Sequence, residues 1–199
     1  GNSLQWYGTN STGGTASTVA PVPLTNIAGT TTYYVSQKNN TTNCESARAS
    51  ITVTVNALPG LPGVSDYSYC QNSIATQLTA TATSGHTLRW YGTNATGGTA
   101  STIAPTPSTS VLGSTNYYVS QINTTTGCEG ARAEITVAVI NLPPPPVVSD
   151  ISYCQNTVST ALTATALASH ELLWYGTNAT GGTASTTAPI PSTSAIGIT

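Results

Sequence analysis

Four cysteines, two histidines and six carboxylates are the residues of this 199-residue chain from which a metal site, a nucleophile or an acid–base pair could be built. Their spacing argues against all three. A zinc site gathers about four Cys or His ligands, commonly through a C-x-x-C step. No C-x-x-C occurs, and His86 and His170 each stand alone in a predicted turn. No G-x-S-x-G elbow accompanies the many serines, so no serine nucleophile has a partner base. Asp66, Glu129 and Glu134 could be imagined as paired carboxylates, but nothing in their spacing places them in a cleft. Calcium needs roughly 6–8 oxygen ligands, and Asp66 and Asp150 supply one carboxylate per proline-rich stretch. We therefore expect no catalysis, no metal and no cofactor.

Two groupings do recur. Glu129 and Arg132 follow Cys128 as Glu45 and Arg48 follow Cys44. Such a pair reads either as a ligand contact on an exposed turn or as a local ion pair that fixes the turn, and its recurrence favours the second. A surface ion pair contributes about 0–1 kcal/mol. The aromatic pair Tyr117–Tyr118, with Tyr91 beside Trp90, is the best candidate for a face on which a sugar could stack. On a strand one ring of each pair points inward and one outward. The outward candidates for ligand contact are Tyr118 and its counterpart Tyr34.

The elements that position these residues repeat. Trp6, Trp90 and Trp174 are 84 residues apart, as are Cys44 and Cys128, and Cys70 and Cys154. Residues 91–102 (YGTNATGGTAST) recur letter for letter as 175–186, and 7–18 differ only at Ser11. A period of 84 exceeds the roughly 20–50 residues of solenoids and propeller blades and matches a small autonomous domain. The expected organisation is 1–56 as the C-terminal part of one copy, 57–63 as a linker, 64–141 as a complete copy, 142–147 as a linker and 148–199 as the N-terminal part of a third. Residues 169–199 occupy the same part of the period as 1–31, so the ends overlap and do not complement each other neatly. A fragment of a longer array is the simpler reading. Copies of one domain in tandem serve length, avidity or display more readily than catalysis.

Charge is sparse: 5% of residues, against about 25% in ordinary soluble domains. No basic patch exists to hold phosphates, which excludes nucleic acid as the expected partner, and no run of 18 apolar residues could span a membrane. Thr, Ser, Asn and Gly do the solvating. With four cysteines in an otherwise thiol-free chain, this composition points to an oxidising, extracellular setting. Six N-x-S/T triplets, at Asn10, Asn39, Asn40, Asn94, Asn123 and Asn178, fall in predicted turns.

Proline marks the seams NALPGLPG (56–63) and NLPPPP (141–146), which read as extended, semi-rigid spacers that keep consecutive domains apart. Between them the hydrophobic period is two, the mark of strands. Strands are predicted near 65–70, 77–83, 87–91, 116–121 and 131–140, with one or two short ones within 100–111. Several short strands separated by Gly- and Asn-rich turns predict an all-β sandwich of the immunoglobulin kind, with Trp6, Trp90 and Trp174 in the cores.

The elements SYCQN, LTATA, LRWYGTNATGGT, STIAPTPSTS, GSTNYYVSQ and GCEGARAEITVAV together resemble the bacterial immunoglobulin-like repeats of Bacteroidota secreted and cell-surface proteins, including large gliding-motility adhesins. The resemblance covers essentially the whole chain. It implies tandem Ig-like β-sandwich domains, export by the type IX secretion system, and a role as adhesin, stalk or spacer at the cell surface. Partners would be neighbouring repeats of the same long chain, and surface polysaccharide or other adhesin copies. The cysteines depart from the antibody pattern, in which a bridge crosses the core against the Trp. A Cys70–Cys128 bridge within one copy would close a loop of 58 residues and stabilise by roughly 4 kcal/mol, leaving Cys44 and Cys154 to pair outside the window. The rival is pairing across the seams, Cys44–Cys70 and Cys128–Cys154. We favour the first; spacing leaves both open.

Overall fold

A computed structural model describes residues 1–196. Among them there is no helix, hence none long and apolar enough to cross a membrane. The chain forms two compact units, Gly1–Asn141 and Leu142–Thr199. The first holds the incomplete first copy and the complete middle copy.

In the first copy β1 (Asn2–Trp6), β2 (Gly29–Asn39) and β3 (Ala49–Val55) form an antiparallel sheet in that order. The middle copy contains β4 (Gly63–Val64), β5 (Tyr67–Cys70), β6 (Ala80–Thr81), β7 (His86–Trp90), β8 (Gly113–Asn123) and β9 (Ala133–Ile140). One of its sheets has the order β5-β9-β8-β7, and β4 pairs with β6 in the other. The second unit contains β10 (Val147–Val148) and β11 (Ala164–Thr165), paired antiparallel as β4 and β6 are.

The strand predicted near 65–70 forms as β5, and the short β4 just before it is a separate, unpredicted strand. β4 pairs in one sheet and β5 in the other, and Asp66 stands between them. Its carboxylate accepts the Thr136 N–H at 2.8 Å, fixing the crossover against β9. β5 then runs parallel to β9, with Tyr67 opposite Val137 and Cys70 opposite Ile140. The first and last strands of the domain are thus neighbours pointing the same way, so the chain enters at one pole and leaves at the other. The LTATAT segment pairs over only two residues. Ahead of β6 the segment meets the stretch that holds Pro105 and Pro107, which lack N–H donors; that contact is carried by Leu78 N–H to the Pro105 carbonyl at 3.0 Å.

Alternation in β9 buries Ala133, Ile135, Val137 and Val139. Ala133, Ile135 and Val137 pack with Leu78, Trp90 and Val119 between the sheets. This core needs both layers. Ile135 is 0% exposed, whereas its counterpart Ile51, on a sheet of identical register, is 42% exposed. The three tryptophans differ accordingly: Trp90 is buried, while Trp6 and Trp174 are only half-buried. Their expected core role holds to the extent that a second sheet covers them.

The expected disulfide is corrected by the strand register. Cys70 lies at the Ile140 end of β9, where Gly113 begins β8. The Cys128 carbonyl accepts the N–H of Asn123, the last residue of β8. Eleven strand residues at about 3.3 Å each separate the two by roughly 30 Å, and a bridge needs Cα atoms within about 7 Å. The rival Cys44–Cys70 pairing fails similarly, because the Cys44 carbonyl is bonded to Asn39 N–H, at the end of β2 away from the seam. All four cysteines are free thiols, Cys44 and Cys154 exposed, Cys70 and Cys128 half-buried.

Candidate functional site

The recurrent residues meet at the turn following β7. Trp90 and Ser101 exchange backbone hydrogen bonds of 2.8 Å, closing the loop 91–100. Asn94 folds that loop, since both its backbone N–H and its side-chain amide donate to the Tyr91 carbonyl, at 3.1 and 3.0 Å. Gly98, at φ +73°, sits against the Asn94 amide, where a Cβ would come within 2.9 Å of Nδ2. Only glycine meets both conditions without strain.

Arg132 clamps this loop from the start of β9. Its guanidinium carbon lies 3.3 Å above the centre of the Tyr91 ring. Its two terminal nitrogens donate to the carbonyls of Asn94 at 2.6 Å and Gly97 at 2.7 Å. Glu129 takes the other side of Tyr91, accepting the phenol hydroxyl and, at 2.5 Å, the Ser120 hydroxyl. The local ion pair expected between Glu129 and Arg132 is thus a three-residue arrangement built around Tyr91. Arg48, Tyr7, Glu45 and Ser36 repeat it in the first copy, with Arg48 3.3 Å from the Tyr7 ring and bonded to the Asn10 and Gly13 carbonyls at 2.7 Å. It forms there although the sheet's apolar face is open, so it is a property of the sheet and its loop.

The turn also forms in the third copy. Asn178 still bonds the Tyr175 carbonyl, at 3.0 Å from its side chain, so the turn forms on its own sequence. Tyr175, however, is 42% exposed against 8% for Tyr91 and Tyr7. The turn thus forms on its own sequence, and Tyr175, with no counterpart of β8, β9 or the clamp beside it, is left open.

The electrostatics follow the contacts. Partial burial disfavours the Glu129 carboxylate, but hydrogen bonds from Ser120 and Tyr91 and the charges of Arg132 and Arg89 outweigh it, and its pKa lies below the usual glutamate range. Glu45 is lowered by Ser36 and Tyr7, with Arg48 and Lys38 adding to the effect. Burial, and then the Glu129 carboxylate, raise the Tyr91 phenol. A carboxylate with a depressed native pKa stabilises the fold above its unfolded value, about 4.3, and loses that contribution as pH falls through the native value. A raised phenol stabilises below about 10 and loses its contribution as pH rises through its native value. We expect melting temperatures that are level at neutral pH and fall below about pH 4, with Glu129→Gln flattening that acid limb.

A shallow depression of about 490 Å³ lies over this cluster, lined by Tyr91, Ala95, Thr96, Tyr118, Glu129 and Arg132. Tyr117 packs toward the core. Tyr118 faces the other way, and its hydroxyl donates to Glu134 across the β8–β9 ladder at 3.0 Å, raising its pKa through that bond and then through burial. Asn116 donates to the same carboxylate at 2.7 Å. Tyr34 stands opposite Ser50 and has no such acid. A second depression, of about 500 Å³, is lined by Leu162, Ala164, Leu172, Trp174 and Ala188. Their counterparts Leu78, Ala80, Leu88, Trp90 and Ala104 belong to the middle copy's core cluster; this is half a sandwich core. His86 and His170 each donate from Nδ1 to the carbonyl two residues back, at 3.0 and 2.9 Å, and serve their turns. No group of three His, Cys, Asp or Glu occurs among the described residues.

The pattern in the sequence did not reveal Gln121. It is 1% exposed at the end of β8 and fully bonded. Its Oε1 accepts Thr83 N–H at 2.8 Å, and its Nε2 donates to the Thr83 hydroxyl at 3.1 Å and to the Gly60 carbonyl at 3.0 Å. The signal was present in YYVSQ, where two polar residues continue an apolar strand.

A family model described as "Ig-like domain CHU_C associated" matches residues 1–57 and 59–140. No curated protein matches the chain. Among solved structures, immunoglobulin domains 1–4 of Sidekick-1 are similar at 14% identity and TM-score 0.26, over 82% of this chain and 50% of that one. The EC21–23 segment of human CDH23 is similar at 15% identity and TM-score 0.23, over 68% of this chain and 53% of that one. The chain thus spans about half the length of each of these two structures.

Proposed function

The chain belongs to the Ig-like, CHU_C-associated family, and on that premise we propose that it is a non-enzymatic structural segment of a large exported cell-surface adhesin, acting as an extended stalk or filament. The observation that carries this reading is the parallel pairing of β5 with β9. Tension applied at the two poles of the complete domain pulls these strands past each other along their length. Their hydrogen bonds are then loaded together, in shear, and do not open one at a time. A domain whose chain enters and leaves at opposite poles also adds length with every copy. The gliding-motility setting, type IX export and extracellular location belong to the same proposal and rest on the resemblance of the motifs.

The saturation of the repeated cluster supports a structural role. Glu129, Tyr91 and Arg132 spend their hydrogen bonds inside the domain, in both copies that contain it. One observation favours a second reading, a polysaccharide-binding module using repeat avidity: Tyr118 lies on the outer face and lines the shallow depression. Affinity chromatography on surface polysaccharide separates the two. The stalk reading predicts no retention of the chain. Retention that Tyr118→Ala abolishes would replace it with the binding module.

A further inference from the structure

The seam before the middle copy is not a free spacer. Pro62 is buried and Pro59 half-buried. Gln121, itself buried, reaches the seam through the Gly60 carbonyl at 3.0 Å while holding Thr83 on its other side. Beside it, Gly130 donates its N–H to the Gln121 carbonyl at 3.0 Å. A Cβ on Gly130 would overlap the Pro59 carbonyl oxygen and lie 3.1 Å from that of Gly60. Both obstacles are backbone, which cannot swing aside. Gly130 does not have a positive φ, so its backbone does not require glycine; the space does.

The first copy supplies the comparison. Ser46 stands at the place of Gly130 and donates its N–H to the Gln37 carbonyl at 2.9 Å, the same ladder contact. Ser46 and Gln37 are both exposed. The ladder contact at this position therefore accepts a serine; what forbids a side chain at Gly130 is the space taken by the Pro59 and Gly60 carbonyls.

We propose that Gln121 and Gly130 form a docking notch for the proline seam, residues 59–62, so that the joint between the first and middle copies bends only over residues 56–58. Those three residues are exposed. The residue at the Gly130 position then acts as a stiffness determinant: glycine docks the preceding seam and a side chain releases it. The inference concerns the joint and does not depend on the adhesin reading.

The test is ¹⁵N relaxation on the full chain and on Gly130→Ser. In the native chain the Gly60 and Leu61 amides should show the order parameters of folded backbone, about 0.85. In Gly130→Ser they should fall below about 0.6, while the Trp90 indole and the amides of β7 to β9 keep their dispersed shifts. A native Gly60 amide whose order parameter lies below about 0.6 would overturn the proposal. So would a Gly130→Ser chain whose seam stays rigid. Loss of dispersion throughout the middle copy would also overturn it, because the glycine would then serve the fold and not the joint.

Discussion

Trp90→Ala should cost the middle copy about 3–5 kcal/mol, the range for removing a large aromatic from a packed core. Trp90 is 4% exposed and lies in the cluster of Leu78, Val119, Ala133, Ile135 and Val137. These residues come from four separate segments on both sheets, so no neighbouring side chain can collapse into the space alone. Against the 5–15 kcal/mol stability typical of a folded protein, the loss is enough to populate the unfolded copy. The chain carries its own control. Trp6 makes the same ladder contact, Trp6 opposite Val35 as Trp90 is opposite Val119, but it is only half-buried, so Trp6→Ala should cost distinctly less. Urea titration followed by circular dichroism measures both. Equal costs would show that the sheet, and not the sandwich, supplies the stability.

Arg132→Ala should destabilise the middle copy by about 2–3 kcal/mol. Two hydrogen bonds from a charged donor contribute about 1.5–3 kcal/mol each before solvent competes at this half-exposed site, and the contact with the Tyr91 ring adds about 0.5–1 kcal/mol. Arg132→Lys should recover less than half of the loss. An ammonium can bond one carbonyl, but it cannot reach Asn94 and Gly97 together while lying flat on the ring. Hydrogen exchange should then show faster exchange in the loop 91–100, with the β8–β9 ladder unchanged.

Much of this fold was legible in the sequence. The 84-residue period set the copies, and the two-residue alternation in 134–140 and 116–121 marked β9 and β8. What escaped was tertiary. The crossover between β4 and β5 depends on Asp66 capping Thr136, a residue 70 positions away. Spacing likewise cannot say at which pole a cysteine lies; that needed the parallel register of β5 on β9. The Glu129–Arg132 pair was read as a local contact because its true centre, Tyr91, is 38 residues from Glu129 in the chain. Gln121 was hidden for another reason. A polar residue ending a strand reads as solvent-facing unless the seam it bonds is known to fold over it.

The central claim is mechanical, and force spectroscopy tests it directly. The full chain is pulled first from its two ends, and then from handles placed at Gly85 and Thr124, which lie side by side where β7 meets β8. The first geometry shears β5 against β9, and the second peels β8 from β7 one hydrogen bond at a time. The account predicts that the middle copy unfolds in a single step at a clearly higher force when pulled from the ends than when peeled. Equal forces, or gradual extension from the ends without a distinct rupture, would contradict a role in resisting tension.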